Sequence, residues 1–196
     1  LHFSAISLAI LPPAGRETLC AVLTRARDAG ATVAFDTNLR PRLWESTDAM
    51  RAGVTLGARA AYIVLPSFDE DAPLFGDTSP EITRDRYANL GAQIVAVKQG
   101  AGAVLLWDGK SSDKHTPPNV LNPVDTTAAG DSFAGGFMGF LSTCDSLSLW
   151  NMKRAVAYGT VTASLTVEGF GVDRIASAQK TDVDRRFHDL VQFVSV

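Results

Sequence analysis

Short apolar runs of strand length alternate along this chain with stretches of helical periodicity, and few folds accommodate that alternation. "ATVAFD" (31–36), "AYIVLP" (61–66) and "AQIVAVKQ" (92–99) are nearly continuous apolar segments, the pattern of strands buried on both faces of a parallel sheet. A strand at about 2–6 precedes them and runs into a loop. Between them lie helices. In "AGRETLCAVLTRARDAG", Leu19, Val22, Leu23 and Ala26 share one face and Gly30 supplies the stop. A second helix runs from near Ser46 to Ala60. A third opens at Ser79-Pro80-Glu81, with a cap, a first-turn proline and an acid near the positive dipole end, and closes at Gly91. "AVLLWDGKSS" (103–112) adds a further strand after Gly100-Ala101-Gly102. Strands separated by such helices form βαβ units, so the fold class is α/β, with a mainly parallel sheet and helices on both faces.

The chain of 196 residues shows no repeat, low-complexity tract or linker, and reads as one domain over 1–196. Past residue 125 it is mostly helical. The closing "TDVDRRFHDLVQFV" sets Val183, Phe187, Leu190, Val191 and Val194 in an apolar stripe suited to packing. A hydrophobic content of 46% with 20% charged residues is globular composition. The net charge of −3 gives no electrostatic basis for binding nucleic acid or an anionic membrane. No apolar run approaches the roughly 20 residues of a membrane span. Cys20 and Cys144 lack metal-ligand spacing, so they are expected as packing residues of a reducing, cytoplasmic protein. His2, His115 and His188 are scattered and suggest no chemistry. The chain opens on a strand without an initiating Met, and residues upstream of Leu1 are expected.

Parallel sheets hold ligands at the carboxyl ends of their strands. The distinctive residues fall there: Asp36 to Arg40, Ser67 to Glu70, and Lys98 to Gly102. The most telling stretch is "DTTAAGDSF" (125–133), followed by "AGGFMGFL". Phe133, Phe137, Phe140 and Leu141 recur at helical spacing, yet Gly135, Gly136 and Gly139 each weaken a helix by about 1 kcal/mol relative to Ala. Small residues at 128–130 let backbone N–H groups converge at a helix tip, where the dipole favours an anion. Asp131 cannot bind that anion itself. It makes sense as a base taking a proton from a nucleophile that attacks a phosphoryl group, with the glycines permitting close approach of backbone or nucleotide. The plainer alternative is a capped helix with an acid at its positive end.

From Asp125 to Met138 the sequence resembles the second signature of the ribokinase-like (PfkB) carbohydrate kinases. The resemblance implies a three-layer α/β/α kinase whose N-terminal strands and β-lid are missing here, which leaves the activity of the chain by itself open. It implies Asp131 as general base and Ala128, Ala129 and Gly130 as the anion hole; the commonest family form has Gly where this chain has Ala128. It places Asp125 near the nucleotide and a monovalent cation such as K⁺, although capping the turn "DTT" accounts for Asp125 equally well. "LPSFDED" resembles the family's Asn-x-x-Glu segment, with Glu70 helping to organise Mg²⁺ and Ser67 standing in for Asn; an acidic helix start is the alternative. "VKQGAGAV" resembles the turn where Lys98, Gly100 and Gly102 border ATP, and a simple hairpin explains it as well. "TASLTVEGFGV" resembles the segment beside adenine, with Gly169 and Gly171 forming the turn.

"FDTNLRPRLW" (35–44) is similar to the 2-keto-3-deoxygluconate kinases of that family. There Arg40 would contact the acid sugar and Asn38 would orient the loop or a phosphate. A guanidinium fork suits a carboxylate or keto oxygen better than a neutral hydroxyl. The bland alternative has Arg40 and Arg42 as solvated charges with Trp44 packed beneath. The implied activity is ATP- and Mg²⁺-dependent phosphorylation of a sugar acid. A neutral-sugar kinase of fructokinase or ribokinase type, or a non-catalytic nucleotide-binding remnant, stands as the alternative. Homo-oligomerisation stays open.

Overall fold

Six strands in chain order form one sheet in this computed structural model, which describes residues 1–194, with side chains to residue 191. The chain runs β1 (His2–Ser4), α1 (Ala5–Ala9), α2 (Pro13–Asp28), β2 (Ala34–Asp36), a 3₁₀ turn (Pro41–Leu43), α3 (Thr47–Ala60), β3 (Ile63–Leu65), α4 (Phe68–Phe75), α5 (Pro80–Asn89), β4 (Ile94–Val97), β5 (Val104–Trp107) and β6 (Ser112–His115). It then continues as α6 (Ala129–Leu141), α7 (Leu149–Thr166), α8 (Asp173–Ser177) and α9 (Lys180–Val194). It divides into two compact units: residues 1–100 with 105–113, and residues 101–104 with those from 114 onward.

In the first unit β1 to β4 pair in parallel, with Phe3 beside Phe35, Phe35 beside Val64, and Val64 beside Val95. Strands laid side by side in chain order, each joined by a right-handed crossover, send their helices to the same face. That face buries Phe3, Val33, Phe35, Val64, Val95, Val97 and Leu105 in one cluster with Leu8, Leu23, Val54, Leu74 and Tyr87 of the helices. The opposite row, Ala34, Ile63, Leu65, Ile94, Ala96 and Leu106, is buried too, which is why these strands read as unbroken apolar runs. β5 returns antiparallel to β4 with Trp107 beside Val95.

Several boundaries differ from expectation. The first strand stops at Ser4, whose N–H reaches the Ser7 hydroxyl at 3.4 Å, and a helical turn then buries Ala5 and Leu8 where the end of the strand and a loop were expected. On α2 the covered face is Arg16, Cys20 and Leu23, while Val22 points outward. The expected strand at 103–112 breaks into β5 and β6, because the Asp108 carboxylate accepts the amides of Lys110 and Ser111 (3.1 and 2.8 Å) and Gly109 turns with φ 91°. Ser46 and Ser79 cap α3 and α5 through their hydroxyls, as the sequence predicts.

In the second unit α6 packs on α7 through glycine: a Cβ on Gly136 would lie 2.6 Å from the Tyr158 carbonyl, and one on Gly159 would lie 2.9 Å from the Phe133 carbonyl. Phe140, Tyr158 and Phe187 stack in sequence, centroids 4.9 and 4.2 Å apart, and tie α9 to α7. Of the expected stripe on α9, Phe187 is buried, Val183 and Leu190 pack beside it, Val191 is exposed, and the Val194 side chain lies outside the described residues. Both cysteines are free thiols; burial pushes Cys20 up to about 11, and Cys144 is half-buried. Among the described residues no helix is long and apolar enough to cross a membrane.

Candidate active site

In the first unit the candidate site grows from the carboxyl end of β2. Asp36 is almost wholly buried there, and the Lys98 ammonium donates to its Oδ1 at 2.9 Å. Lys98 therefore meets a carboxylate of its own unit at the position where ATP phosphates were expected. Gly100, in the turn after it, adopts φ 55°, which glycine accepts without strain, and a Cβ there would stand 3.2 Å from Asp69 Oδ2. Gly102 is exposed in the same turn.

Beyond Asp36 the backbone is braced residue by residue. The Thr37 hydroxyl donates to Asp71 Oδ2 at 2.9 Å and accepts the Ser67 amide at 3.4 Å. The Leu39 amide donates to Glu70 Oε2 at 3.2 Å, and the Leu39 carbonyl accepts Trp44 Nε1 at 2.9 Å. Trp44 is buried under the Arg16 guanidinium, 4.8 Å from the ring centre, and Arg16 also binds the Leu8 carbonyl and the Glu45 carboxylate (2.8 and 2.7 Å). Asn38 is half-buried. Arg40 stands out from this frame, about half exposed, with Nη1 3.6 Å from Glu70 Oε1. Its backbone is left-handed (φ 48°, ψ 69°). So Glu70, expected beside Mg²⁺, spans the Leu39 amide and the Arg40 guanidinium.

Beneath the loop lies a buried polar network. Asp71 is fully buried and accepts from Thr37, from the Tyr87 hydroxyl and from Arg86 (3.0 Å); Arg86 also binds Asp77 at 2.7 Å, and Thr83 donates to Asp77 at 2.8 Å. Burial pushes the Asp71 carboxyl above the ordinary carboxylate range, against the opposing pull of Tyr87, Arg86 and Thr37. The guanidinium of Arg86 lies over the Phe75 ring at 3.7 Å. Sequence reasoning gave Thr37 and Tyr87 no role and read Asp71 only as part of an acidic helix start. An acid three residues into an acidic run reads as a helix start, and nothing local distinguishes the one that turns inward.

In the second unit the amides of Val124 and Asp125 reach the Val167 carbonyl at the end of α7 (2.7 and 3.4 Å). The Asp125 carboxylate accepts the Thr127 amide on one oxygen and the Gly171 amide on the other, both at 2.9 Å. These two amides, Gly171 first, hold its carboxyl below the usual range. Asp125 does cap the turn, and it also ties that turn to the 169–171 loop. Gly171 supplies the positive φ of 54°, while Gly169 is required for another reason: a Cβ there would lie 2.8 Å from Arg174 Cβ.

Ala128 begins the helix tip in the left-handed region, φ 62° and ψ 6°. Glycine would take this conformation without the side-chain clash that Ala bears. Among the described residues the amides of Ala128 and Gly130 have no acceptor, whereas the Ala129 amide donates to the Thr126 carbonyl at 3.2 Å. Asp131 occupies the exposed first turn of α6, at the positive end of the dipole. Its neighbour Ser132 is stapled to α7: Thr162 donates to its carbonyl and Thr166 to its hydroxyl, each at 2.7 Å. The glycines separate by role. Gly136 admits α7, while Gly135 and Gly139 face open space. Among the described residues no cluster of His, Cys, Asp and Glu could hold a metal ion by itself.

A mostly parallel sheet, with the residues singled out at its strand ends, and a left-handed turn opening a helix at Asp131 define the ribokinase-like α/β fold. The profile described as pfkB family carbohydrate kinase matches residues 1–179, and the chain belongs to that family. A 2-dehydro-3-deoxygluconokinase of Escherichia coli strain K12 is 34% identical over 171 residues, covering 86% of this chain and 54% of the relative. A fructokinase from Vibrio cholerae O395, solved in fructose, ADP and calcium ion bound form, superposes with a TM-score of 0.85 at 25% identity, covering 95% of this chain and 60% of that one. The aminoimidazole riboside kinase of Salmonella enterica, complexed with aminoimidazole riboside and an ATP analog, gives 0.82 at 28% identity, covering 94% and 61%. The chain spans about half the length of the curated relatives it matches.

Proposed function

We propose that the protein transfers the γ-phosphoryl group of ATP to a hydroxyl of a sugar acid, 2-keto-3-deoxygluconate, giving its 6-phosphate. The observation that carries this reading is Arg40: a strained, half-exposed guanidinium on a loop braced at both ends, at the carboxyl edge of a parallel strand. A cationic fork carried on a braced loop suits a carboxylate or keto oxygen, and the curated relatives named for this sugar acid share the family. Asp131 is the base that receives the proton of the attacking hydroxyl. The amides of Ala128 and Gly130 stabilise charge that develops on the transferred phosphoryl oxygens. Phosphoryl transfer through a loose transition state asks for placement of the base more than for high basicity.

Mg²⁺ needs few protein ligands when it arrives with a nucleotide, which fits the lack of a dedicated acidic cluster among the described residues. When bound, it neutralises phosphate charge. Glu70, with an exposed carboxylate, is the residue we assign near it, and Asp125 near a monovalent cation. A neutral-sugar kinase is the second reading, favoured by the Glu70 carboxylate that already shares the Arg40 charge.

An ADP-release assay across acid and neutral sugars tests both. Asp131→Asn lowers kcat by about 10²- to 10⁴-fold with nucleotide affinity preserved. Arg40→Ala raises KM for the sugar acid roughly 10- to 100-fold, the loss of a charge-assisted hydrogen bond. Full turnover by Asp131→Asn sinks the assigned chemistry. Preference for fructose or ribose, together with indifference to Arg40→Ala, sinks the sugar-acid assignment.

A further inference from the structure

Arg40 and Ala128 are the non-glycine residues with positive φ among the described residues. Such a conformation persists only where the surroundings over-determine it. For Ala128 the adjoining Asp125 turn and the start of α6 suffice. For Arg40 the near supports are Glu70, Trp44 and the Leu43 amide, which donates to the Arg40 carbonyl at 3.0 Å, and all of them act on Leu39 or on Arg40 itself. Those contacts fix the loop only if the backbone that enters it is fixed as well. That backbone is Thr37, and its hydroxyl is held by Asp71 and by the Ser67 amide.

Thr37 and Asp71 are each 0% exposed. A valine has nearly the shape of threonine, so packing alone does not call for the hydroxyl. Burying a carboxylate is unfavourable unless its partners are in place, and a core of this kind packs well without one. The Asp71 carboxylate is held on its far side by Tyr87 and Arg86, both on α5, and Arg86 is fixed in turn by Asp77. The position of the loop is thereby referred to α4 and α5.

We propose that Thr37 and Asp71 are positioning residues for substrate recognition: through the hydroxyl–carboxylate bond they lock the loop entry so that the strained Arg40 presents its guanidinium in one orientation. The substrate part of this inference rests on the sugar-acid reading above; the ordering of the loop does not.

The test compares the parent protein with Thr37→Val, Thr37→Ser and Asp71→Asn, by hydrogen exchange at the Leu39 amide and by steady-state kinetics. Thr37→Val speeds exchange at Leu39 by about ten-fold and raises KM for the sugar acid by a similar factor, with KM for ATP unchanged. Thr37→Ser, which keeps the hydroxyl, restores both. Asp71→Asn keeps the volume, gives the same split, and serves in place of Thr37→Val if that variant does not fold. Unchanged exchange at Leu39 overturns the proposal. So does faster exchange throughout the first unit, or an equal rise in both KM values, because each marks a general structural role. If the parent turns over no sugar, the functional reading falls, and the exchange comparison alone decides the positioning role.

Discussion

Changing Gly136 to Ala and, separately, Gly135 to Ala applies one chemical change to adjacent positions of α6, and the structure predicts opposite signs. At Gly136 a Cβ would lie 2.3 Å from Thr162 Oγ1 and 2.6 Å from the Tyr158 carbonyl oxygen. A threonine rotamer could yield, but it already bonds the Ser132 carbonyl at 2.7 Å, and the Tyr158 oxygen belongs to the α7 backbone. Overpacking costs about 1–3 kcal/mol, and an immovable backbone neighbour puts this site at about 3. Replacing a helical glycine returns about 1 kcal/mol of propensity, leaving a net loss of about 2 kcal/mol. In a chain of this size each kcal/mol moves Tm by about 2–4 °C, so Gly136→Ala lowers Tm by about 4–8 °C. At Gly135 a Cβ meets nothing within 4 Å. Only the propensity remains, and Gly135→Ala raises Tm by about 2–4 °C. Thermal unfolding followed by far-UV circular dichroism reads both. A shift of the same sign in the two variants would refute the claim that helix contact places the glycine at 136.

Two further expectations rest on the α6 entry. Ala128→Gly relieves about 1–2 kcal/mol of left-handed strain and gives back about 0.4–1 kcal/mol in unfolded-chain entropy, a net gain of roughly 0.5–1 kcal/mol that raises the denaturant midpoint; a fall would show that the position is not strained. The amides of Gly171 and Thr127 lower the Asp125 carboxyl, so its contribution is present above the ordinary carboxylate value and is lost as pH falls through the lower folded value. Asp125→Asn therefore flattens the decline of Tm on acidification below about pH 4; an unaltered profile would mean that these amides do not favour the charged form.

The parallel half of the sheet was legible because its strands are buried on both faces and leave long apolar runs, with Ser46, Ser79, Gly30 and Gly91 marking helix ends. The errors share a cause. Residues 5–9 are as apolar as the strand before them, and periodicity cannot separate a buried turn of helix from a buried strand over so few residues. Val22 and Val191 were placed inward because they are apolar, while Arg16 was overlooked because it is charged, although Trp44, Glu45 and the Leu8 carbonyl give that charge a buried home. β6 was hidden in "SDKH", where an edge strand carries no apolar signal and the Asp108 turn before it shows only in its hydrogen bonds.

For the candidate site, sequence spacing located the segments, but the partners of each side chain came only from the fold. Asp131 and the small residues before it could be read together because the proposed anion-binding helix tip is a local device, built from consecutive residues. Lys98 and Asp36 are 62 residues apart and Thr37 and Asp71 are 34 apart, so neither pair could be inferred from spacing. Glu70 was assigned near Mg²⁺ through the resemblance of "LPSFDED" to an Asn-x-x-Glu segment, and a motif of that kind says nothing of the partners the side chain has on the Arg40 loop. With Leu39 on one oxygen and Arg40 near the other, Glu70 shapes the loop that carries Arg40, whatever it does for a cation. A position whose chemistry is set by long-range partners is where a motif transferred from relatives is least secure. On this chain that puts Lys98 and Glu70, more than Asp131, first in line for mutagenesis.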